Sequence, residues 1–398
     1  MSQSIDTILS KNAELGERER QFASILWRHQ MPDGAGTHNL SRNTLHELTG
    51  VHKTLAGYAV RRLLDSKLIR EGAPEVSAER GRPMIPLQIN PDGPAFVGVS
   101  IEPGEVRLCT LTPAGLVRAV ETVRKHARDS SLIQLAAEML DGAIKSDVSS
   151  TGVFSIGVAV TGVVDPHRRE MLFSSASPSA SPISLEAIYK AAGDTPVFLD
   201  NDVHALSSRW LLNTDTNDDC DGDVLLVGLD DGRLGASLLI DHKPHRGSVT
   251  AANELGHMRL AIDTDLCFCG QTGCLERIVS TPQLTRFNAK TSRTLDEVLA
   301  DPAQDERAIT TLLDHLTTGL ANAINFVRPA RLVIASPLVR HKALTDYLHA
   351  NLPPRILPGI RSRVRTSFWQ QSCVQSAENA AWLALADVFG RPSPTKNS

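Results

Sequence analysis

The chain has 398 residues, of which 41% are hydrophobic and 22% are charged, an ordinary composition for a globular protein. This length predicts two or three domains. The net charge of −4 excludes a globally basic DNA-binding protein, so any such surface must be local. No apolar run approaches the roughly 18 residues of a membrane span, and the N-terminus lacks the apolar core of a signal peptide. A cytoplasmic protein is therefore expected.

Residues 1–90 predict a DNA-binding module. Apolar spacing predicts one helix across residues 17–30, a short helix that Ser41 caps, and a second helix from about Val51 to Ser66. Two helices joined by a short glycine-containing turn form a helix-turn-helix. The second helix is expected to bury one stripe that consists of Leu55, Ala59 and Leu63. Its polar face carries side chains suited to base edges and phosphates, namely His52, Lys53, Thr54, Tyr58 and Arg61.

A β-wing is predicted to follow these helices. Two short strand patterns, residues 68–70 and 85–89, flank a turn that contains Glu-Arg-Gly-Arg-Pro. Arg80 and Arg82 would then lie at a basic wing tip, where arginine side chains can enter a narrow minor groove. Because the segment as a whole is only mildly basic, a small helical dimerisation module is the alternative.

Residues 91–390 predict an α/β domain in which one strand-strand-helix pattern occurs twice. The remaining residues, 391–398, predict a disordered tail. In the first half, a short strand ends at Asp200 and opens into a helix through Asn201 and Asp202. A carboxylate at such a strand end is a usual active-site position. A simple helix cap is the alternative interpretation.

A compact loop in the second half predicts a metal site. His257, Cys267, Cys269 and Cys274 supply one imidazole and three thiols, which is a complete tetrahedral set for a structural Zn²⁺. Gly270 is one of two glycines suited to the tight turns of such a loop. The alternative is a chance cluster that includes buried thiols.

Two carboxylates accompany this loop. Glu254 precedes His257 by three residues, and Glu276 follows Cys274 by two. Carboxylates beside an imidazole suit the hydroxyl groups of a sugar, whereas two solvated glutamates are the alternative that spacing alone leaves open.

The motif Glu-Leu-Gly-His, followed by Cys-x-Cys-Gly-x2-Gly-Cys-Leu-Glu, resembles the signature of the ROK family of repressors, uncharacterised reading frames and sugar kinases. The resemblance implies a duplicated actin-like (ribonuclease H-like) fold, preceded in the repressors by a winged helix-turn-helix. It also implies that the histidine and three cysteines hold zinc. The residues that the resemblance implies for sugar contact are Asn201, Asp202, Glu254, His257 and Glu276, and in the kinases the residue matching Asp202 is the catalytic base.

The sequence departs from the kinases of the family where they bind the nucleotide. The first glycine-rich loop is replaced by a segment with Glu102 and Pro103, the second contains Asp230 and Asp231, and a Gly-Gly pair is replaced by Ser336-Pro337. Carboxylates repel phosphate, and proline lacks the amide that would cradle it. One departure concerns the sugar side, where Asn253 stands in place of a usual glycine.

These patterns together predict a sugar-responsive transcriptional repressor of carbohydrate-metabolism genes and not an enzyme. Its expected partners are a palindromic DNA operator, a sugar or sugar-derivative effector, structural Zn²⁺, and further copies of the chain in a homodimer or tetramer. Two alternatives stay open. One is a sugar kinase with an added DNA-binding head, and the other is a repressor switched by a partner protein.

Overall fold

The computed structural model describes residues 15–30, 40–74, 84–125, 129–146, 152–173, 182–213, 222–247, 253–372 and 376–390. Within these ranges the chain forms an N-terminal helical module and two α/β lobes, each built on a five-stranded sheet. The predicted tail, residues 391–398, lies outside the described residues. None of the helices in these ranges combines the length and the apolar character needed to cross a bilayer.

The N-terminal module contains three helices and two antiparallel strands: α1 (Glu17–Gln30), α2 (Arg42–Thr49), α3 (Lys53–Asp65), β1 (Ile69–Glu71) and β2 (Leu87–Ile89). Ser41 begins α2 through a capping box with Thr44, and Gly50 ends it in the left-handed conformation, with φ of 67°. The helices and strands that apolar spacing predicted here are therefore present. The predicted wing tip with Arg80 and Arg82 lies outside the described residues.

Helix α3 buries two of the three residues of the predicted stripe, Ala59 and Leu63, but not Leu55. Its buried residues follow the i, i+3, i+4, i+7 spacing of one helix face, namely Ala56, Ala59, Val60 and Leu63. Leu55 lies outside this stripe and is 41% exposed. The prediction that Leu55 is buried was wrong, because successive helical residues point about 100° apart and the stripe begins one residue later.

The first lobe follows the module. Its elements are β3 (Ala95–Glu102), β4 (Glu105–Leu111), β5 (Val117–Arg124), α4 (Asp129–Lys145), β6 (Val153–Val160), β7 (Val163–Asp165), β8 (Glu170–Phe173), β9 (Ile183–Ser184), α5 (Glu186–Ala192), β10 (Val197–Asn201) and α6 (Asp202–Asn213). The large sheet has the order β10-β6-β3-β4-β5, in which β3, β4 and β5 form an antiparallel meander and β6 and β10 extend it in parallel. Strands β7, β8 and β9 form a small separate sheet.

The second lobe repeats this topology. Its elements are β11 (Val224–Asp230), β12 (Arg233–Ile240), β13 (Lys243–Pro244), α7 (Leu275–Ile278), α8 (Thr281–Phe287), α9 (Leu295–Ala300), α10 (Glu306–Val327), β14 (Arg331–Ala335), α11 (Lys342–Asn351), α12 (Pro358–Arg361), β15 (Arg365–Trp369) and α13 (Ser376–Phe389). The sheet order is β13-β12-β11-β14-β15, again an antiparallel meander followed by two parallel strands. The repetition of this order agrees with the duplication that the sequence predicted.

Each lobe contributes one helix that packs on the sheet of the other lobe, and these two helices, α6 and α13, are called the exchanged helices. Helix α6 leaves the first sheet and packs Val203, Leu206 and Trp210 into a cluster with strands of the second sheet. Helix α13 leaves the second sheet and lies on β3 and β6 of the first. The approach is so close that a Cβ on Gly98 would meet Ala377 O at 2.0 Å, and one on Gly157 would meet Ala380 O at 1.7 Å. The two exchanged helices also contact each other.

The N-terminal module rests on these exchanged helices. Trp27 of α1 packs against Trp382 and Phe389 of α13, with ring centroids 5.8 Å and 5.1 Å apart. Its indole Nε1 donates to the carbonyl of Leu212 at the end of α6, at 2.9 Å. Residues 1–90 and 91–390 therefore share one hydrophobic cluster within the described ranges.

Candidate functional site

A cavity of about 240 Å³ lies between the two lobes. The first lobe contributes residues from the ends of β6 and β10, and the second contributes the β11–β12 turn and the segment around α7. Every residue predicted to contact a sugar lines this cavity: Asn201, Asp202, Glu254, His257 and Glu276. The structure therefore brings together side chains that are up to 75 positions apart in the sequence.

Asn201 and Asp202 occupy the end of β10, as the sequence predicted. Asn201 Nδ2 donates to Gly162 O at 2.8 Å, and its Oδ1 accepts from Val203 N at 2.8 Å, so this residue also serves as a helix cap. Asp202 accepts from Thr161 Oγ1 at 3.0 Å. Burial raises the pKa of the Asp202 carboxyl to about 6, although its hydrogen bond to Thr161 opposes the rise.

Glu254 and Glu276 face the same space from the second lobe. Burial raises the pKa of each to about 7, and repulsion from Asp202 adds to both shifts. Glu276 Oε1 accepts from Leu234 N at 3.4 Å, whereas its Oε2 is buried and finds no hydrogen-bond partner among the described residues. A buried carboxylate oxygen without a donor is costly.

The predicted metal ligands converge. One ligand atom from each of His257, Cys267, Cys269 and Cys274 lies within 4.8 Å of all the others. Cys267 Sγ is 3.6 Å from His257 Nδ1, and Cys269 Sγ is 3.5 Å from Cys274 Sγ. Three thiols and one imidazole with this spacing fit a tetrahedral Zn²⁺ site, and among them Cys267 and Cys274 are buried.

The loop geometry fits a metal site as well. Gly270 and Gly273 have φ of 82° and 80°, the left-handed region that favours glycine. A Cβ on Gly273 would lie 2.5 Å from Leu260 O, so only glycine lets the loop close there. His257 directs Nδ1 toward the thiols and Nε2 toward Glu254, with 3.7 Å between Nε2 and the carboxylate. A single imidazole thus connects the candidate metal site to the cavity.

Sequence reasoning missed part of the cavity wall. Phe173 and Phe268 both line it, with ring centroids 6.1 Å apart, and Phe268 also contacts His257 edge-on at 5.2 Å. Arg233 and Arg277 line it too. Phe268 stands between two predicted ligands and Arg277 follows Glu276, so adjacency to the motif was the available signal. Nothing local in the sequence indicated Phe173.

The three segments in which the sequence departs from the kinases of the family form ion pairs and hydrogen bonds within the protein. Glu102 is 6% exposed and bridges to Arg233 of the other lobe at 2.9 Å, and it also accepts from Ser376 Oγ at 2.7 Å. Asp230 accepts from Ser372 Oγ at 2.9 Å. Ser336 caps a 3-10 turn by accepting from Leu338 N. All three side chains are therefore engaged within the protein, and two of them are carboxylates.

The predicted DNA-contacting residues of α3 share one exposed face. His52, which precedes the helix and caps it, is exposed together with Lys53, Thr54, Tyr58 and Arg61. Tyr58 is 64% exposed, so its ring and hydroxyl are open to solvent on this face. Arg80 and Arg82 lie outside the described residues.

The ROK family model matches residues 98–385, more than half of the chain, and the protein therefore belongs to the ROK family. It is 23% identical to a xylose repressor of Caldicellulosiruptor bescii over 75% of this chain and 79% of the relative. It is 32% identical to an N-acetyl-D-glucosamine kinase of Salmonella heidelberg over 66% of this chain and 89% of the kinase.

Solved structures resemble it as well. A ROK family transcriptional regulator, named as a homologue of the E. coli MLC protein, matches with a TM-score of 0.75 at 20% identity over 94% of this chain and 98% of the regulator. A ROK family glucokinase from Streptomyces griseus, in complex with glucose and AMPPNP, matches with a TM-score of 0.59 at 20% identity over 73% of this chain and 99% of the kinase. At these identities the likenesses establish the fold.

The candidate metal site generates the first prediction. Cys269→Ser removes one of four ligands, so zinc bound per chain, measured by elemental analysis, should fall well below that of the wild type. Thermal unfolding should shift down because metal binding contributes to folding free energy. Cys109→Ser, a buried cysteine outside the cluster, is the matched control and should keep its zinc. Wild-type protein that purifies without metal and unfolds at an unchanged temperature after chelation contradicts the prediction.

Proposed function

We propose that this protein is a sugar-responsive, DNA-binding transcriptional repressor of carbohydrate-metabolism genes. One combination of features carries the proposal. The cavity is lined by carboxylates, an amide and an imidazole, which suit the hydroxyl groups of a sugar, and the N-terminal module, which packs on α6 and α13, exposes the polar face of α3. The regulator likeness spans a larger share of the chain than the kinase likeness, which supports the same conclusion.

In this proposal residues 1–90 form a winged helix-turn-helix and α3 is the recognition helix. Lys53 and Arg61 are the cations of its exposed face, and Thr54 and Tyr58 add hydrogen-bonding groups. Arg80 and Arg82 would contact the minor groove from the wing. A homodimer or tetramer would present pairs of these modules to a palindromic operator.

The effector would act through the contact between lobes. A sugar held by Asp202 of the first lobe and Glu254 of the second fixes the distance between the two lobes. Helices α6 and α13 cross that boundary, and Trp27 packs on both of them. A change in lobe angle would therefore move the DNA-binding module, which is the requirement for a coupling free energy between two sites.

Zinc has a structural role in this proposal. His257, Cys267, Cys269 and Cys274 would hold one Zn²⁺ and leave no position open for water. The metal would tie the segment that carries Glu254 to the one that carries Glu276 and would fix the His257 imidazole toward the cavity. We further propose that the protein acts in the cytoplasm, where its DNA and its sugar would meet.

A sugar kinase is the second candidate, and one observation favours it. Asp202 is retained at the end of β10 with a pKa raised to about 6, which suits a general base. The Glu102–Arg233 ion pair argues against a kinase. It places the buried carboxylate of Glu102 beside the β11–β12 turn, where the kinases of the family bind phosphate, and this carboxylate would repel a nucleotide.

A direct assay separates the two candidates. Purified protein with glucose, xylose or N-acetylglucosamine and Mg²⁺-ATP should release ADP at the background rate. The reason is that carboxylates or a proline stand at the three positions where the kinases of the family bind phosphate. Sugar-dependent turnover that disappears in Asp202→Asn would make the kinase the better proposal.

Operator binding tests the exposed face of α3. Using a duplex selected from random DNA, Arg61→Ala should weaken binding by about 1–3 kcal/mol if it contacts a base edge. Lys53→Ala should weaken all sequences alike and lower the salt slope by about one unit if it contacts phosphate. Lys290→Ala, an exposed lysine of the second lobe, is the control. Wild-type affinity in both α3 variants would exclude this helix from the interface.

The cavity generates the prediction about the effector. Asp202→Ala should bind operator like the wild type but should no longer be released by a sugar that releases the wild type. A typical coupling energy is about 1–3 kcal/mol, and one charged hydrogen bond contributes about as much. Asp346→Ala, an exposed carboxylate of α11, should respond normally. If the sugar releases Asp202→Ala equally well, the switch lies elsewhere and a partner protein becomes the better proposal.

A further inference from the structure

Arg277 occupies an unusual position in the cavity between the lobes. It belongs to the short helix α7, and its guanidinium lies over the Phe268 ring, 5.3 Å from the centroid. Both residues line the same cavity as Asp202, Glu254 and Glu276. The stacked aromatic ring restricts the guanidinium to one side of the cavity and holds it ready for a ligand.

The basic side chains of the cavity differ in their partners. Arg233 is paired with Glu102 at 2.9 Å, and His257 lies between the thiols and Glu254. Among the described residues the Arg277 guanidinium contacts the Phe268 ring and forms no ion pair, and its Nε is buried without an acceptor. Nε is closed to the cavity, so an acceptor on a bound molecule would meet the guanidinium through its Nη groups, which are not among the buried atoms without a partner.

The neighbouring carboxylate does not supply that acceptor. Glu276 precedes Arg277 directly, and adjacent residues of a helix do not face each other. Glu276 gives one oxygen to Leu234 N, while its other oxygen is buried and has no donor. Glu276 Oε2 and Arg277 Nε are closed off from the cavity, but the side chains to which they belong both line it. A ligand that meets both side chains has hydroxyl groups on one side and a strong acceptor on the other.

We propose that Arg277 receives an anionic group of the effector, so that the effector is an acidic sugar derivative, either a phosphate ester or a sugar acid. The planar fork of arginine pairs bidentately with carboxylate and phosphate oxygens, which a neutral hydroxyl cannot match. This inference rests on the proposed function, because it assigns the ligand class of the cavity in the proposed repressor. It adds a specificity-determining residue that lies beside the hydroxyl-binding carboxylates.

The test is calorimetric titration of the full-length protein with matched neutral and acidic sugars. The neutral set is glucose, xylose and N-acetylglucosamine, the phosphate set is glucose 6-phosphate and N-acetylglucosamine 6-phosphate, and the acid set is glucuronate and gluconate. At least one acidic member should bind wild type more tightly than every neutral member. The set to which it belongs identifies the anion as phosphate or carboxylate.

Variants then assign the effect to Arg277. Arg277→Gln should weaken the acidic ligand by about 10- to 100-fold, the loss expected for a charged hydrogen bond, and should leave neutral sugars within about twofold. Arg277→Lys should recover part of the affinity because it restores the charge but not the bidentate geometry. Arg259→Gln, an exposed arginine of the same segment that does not line the cavity, is the matched control. Zinc content and thermal unfolding check that each variant is folded.

The contrary outcomes are distinct. If a neutral sugar binds wild type as tightly as its acidic counterparts, the inference is wrong while the proposed repressor stands. If Arg277→Gln weakens the binding of neutral and acidic sugars equally, Arg277 only offsets the negative charge of the cavity carboxylates, and the inference is again wrong. If no member of the three sets binds, both the inference and the sugar-effector part of the proposed function fail, whereas operator binding is measured independently. The comparison of sugars on wild type needs no variant, so poor folding of Arg277→Gln leaves the inference open to refutation.

Discussion

The contact of α13 with the first sheet is the constraint on which the other parts depend. Gly98 and Gly157 let the helix backbone approach β3 and β6 to a distance that any side chain would block. Because α13 follows the last strand of the second lobe, this contact fixes one lobe on the other. The same helix presents Trp382 and Phe389 to Trp27, so it also positions the N-terminal module. The shape of the cavity, the angle between the lobes and the orientation of the N-terminal module thus all depend on α13.

Elements with strong local patterns could be predicted from the sequence, and exposed edge elements could not. Buried strands such as β6 and the long amphipathic helix α10 have clear apolar runs or stripes. Strand β5 was missed because it forms a sheet edge with most side chains exposed, so it shows no apolar alternation. Leu55 was misassigned for a related reason, since a stripe of small residues beginning at Ala56 gives a weak signal.

The residues of the candidate site also separate into those that local sequence patterns predicted and those that they did not. Ligand types at short spacing in one loop predicted the convergence of Cys267 and Cys274 with His257, and the structure places them within reach of one ion. Residues that reach the cavity from a separate sheet, such as Phe173, depend on tertiary packing that no local pattern encodes. Asn201 illustrates a third case, because the helix-cap interpretation and the cavity-lining interpretation are both true of one side chain.

The distribution of charge around the cavity bears on the proposed change from a kinase to a sugar sensor. Asp202 and Glu276 line the cavity with carboxyl groups whose pKa values burial raises to about 6 and about 7, and such groups suit hydrogen bonds to hydroxyl groups. On the nucleotide side, Glu102 takes Arg233 as its partner across the lobes. The same arginine therefore links the second lobe to the first at the edge of the cavity. In the proposed repressor, this ion pair would hold the lobes together where the kinases of the family bind a phosphate.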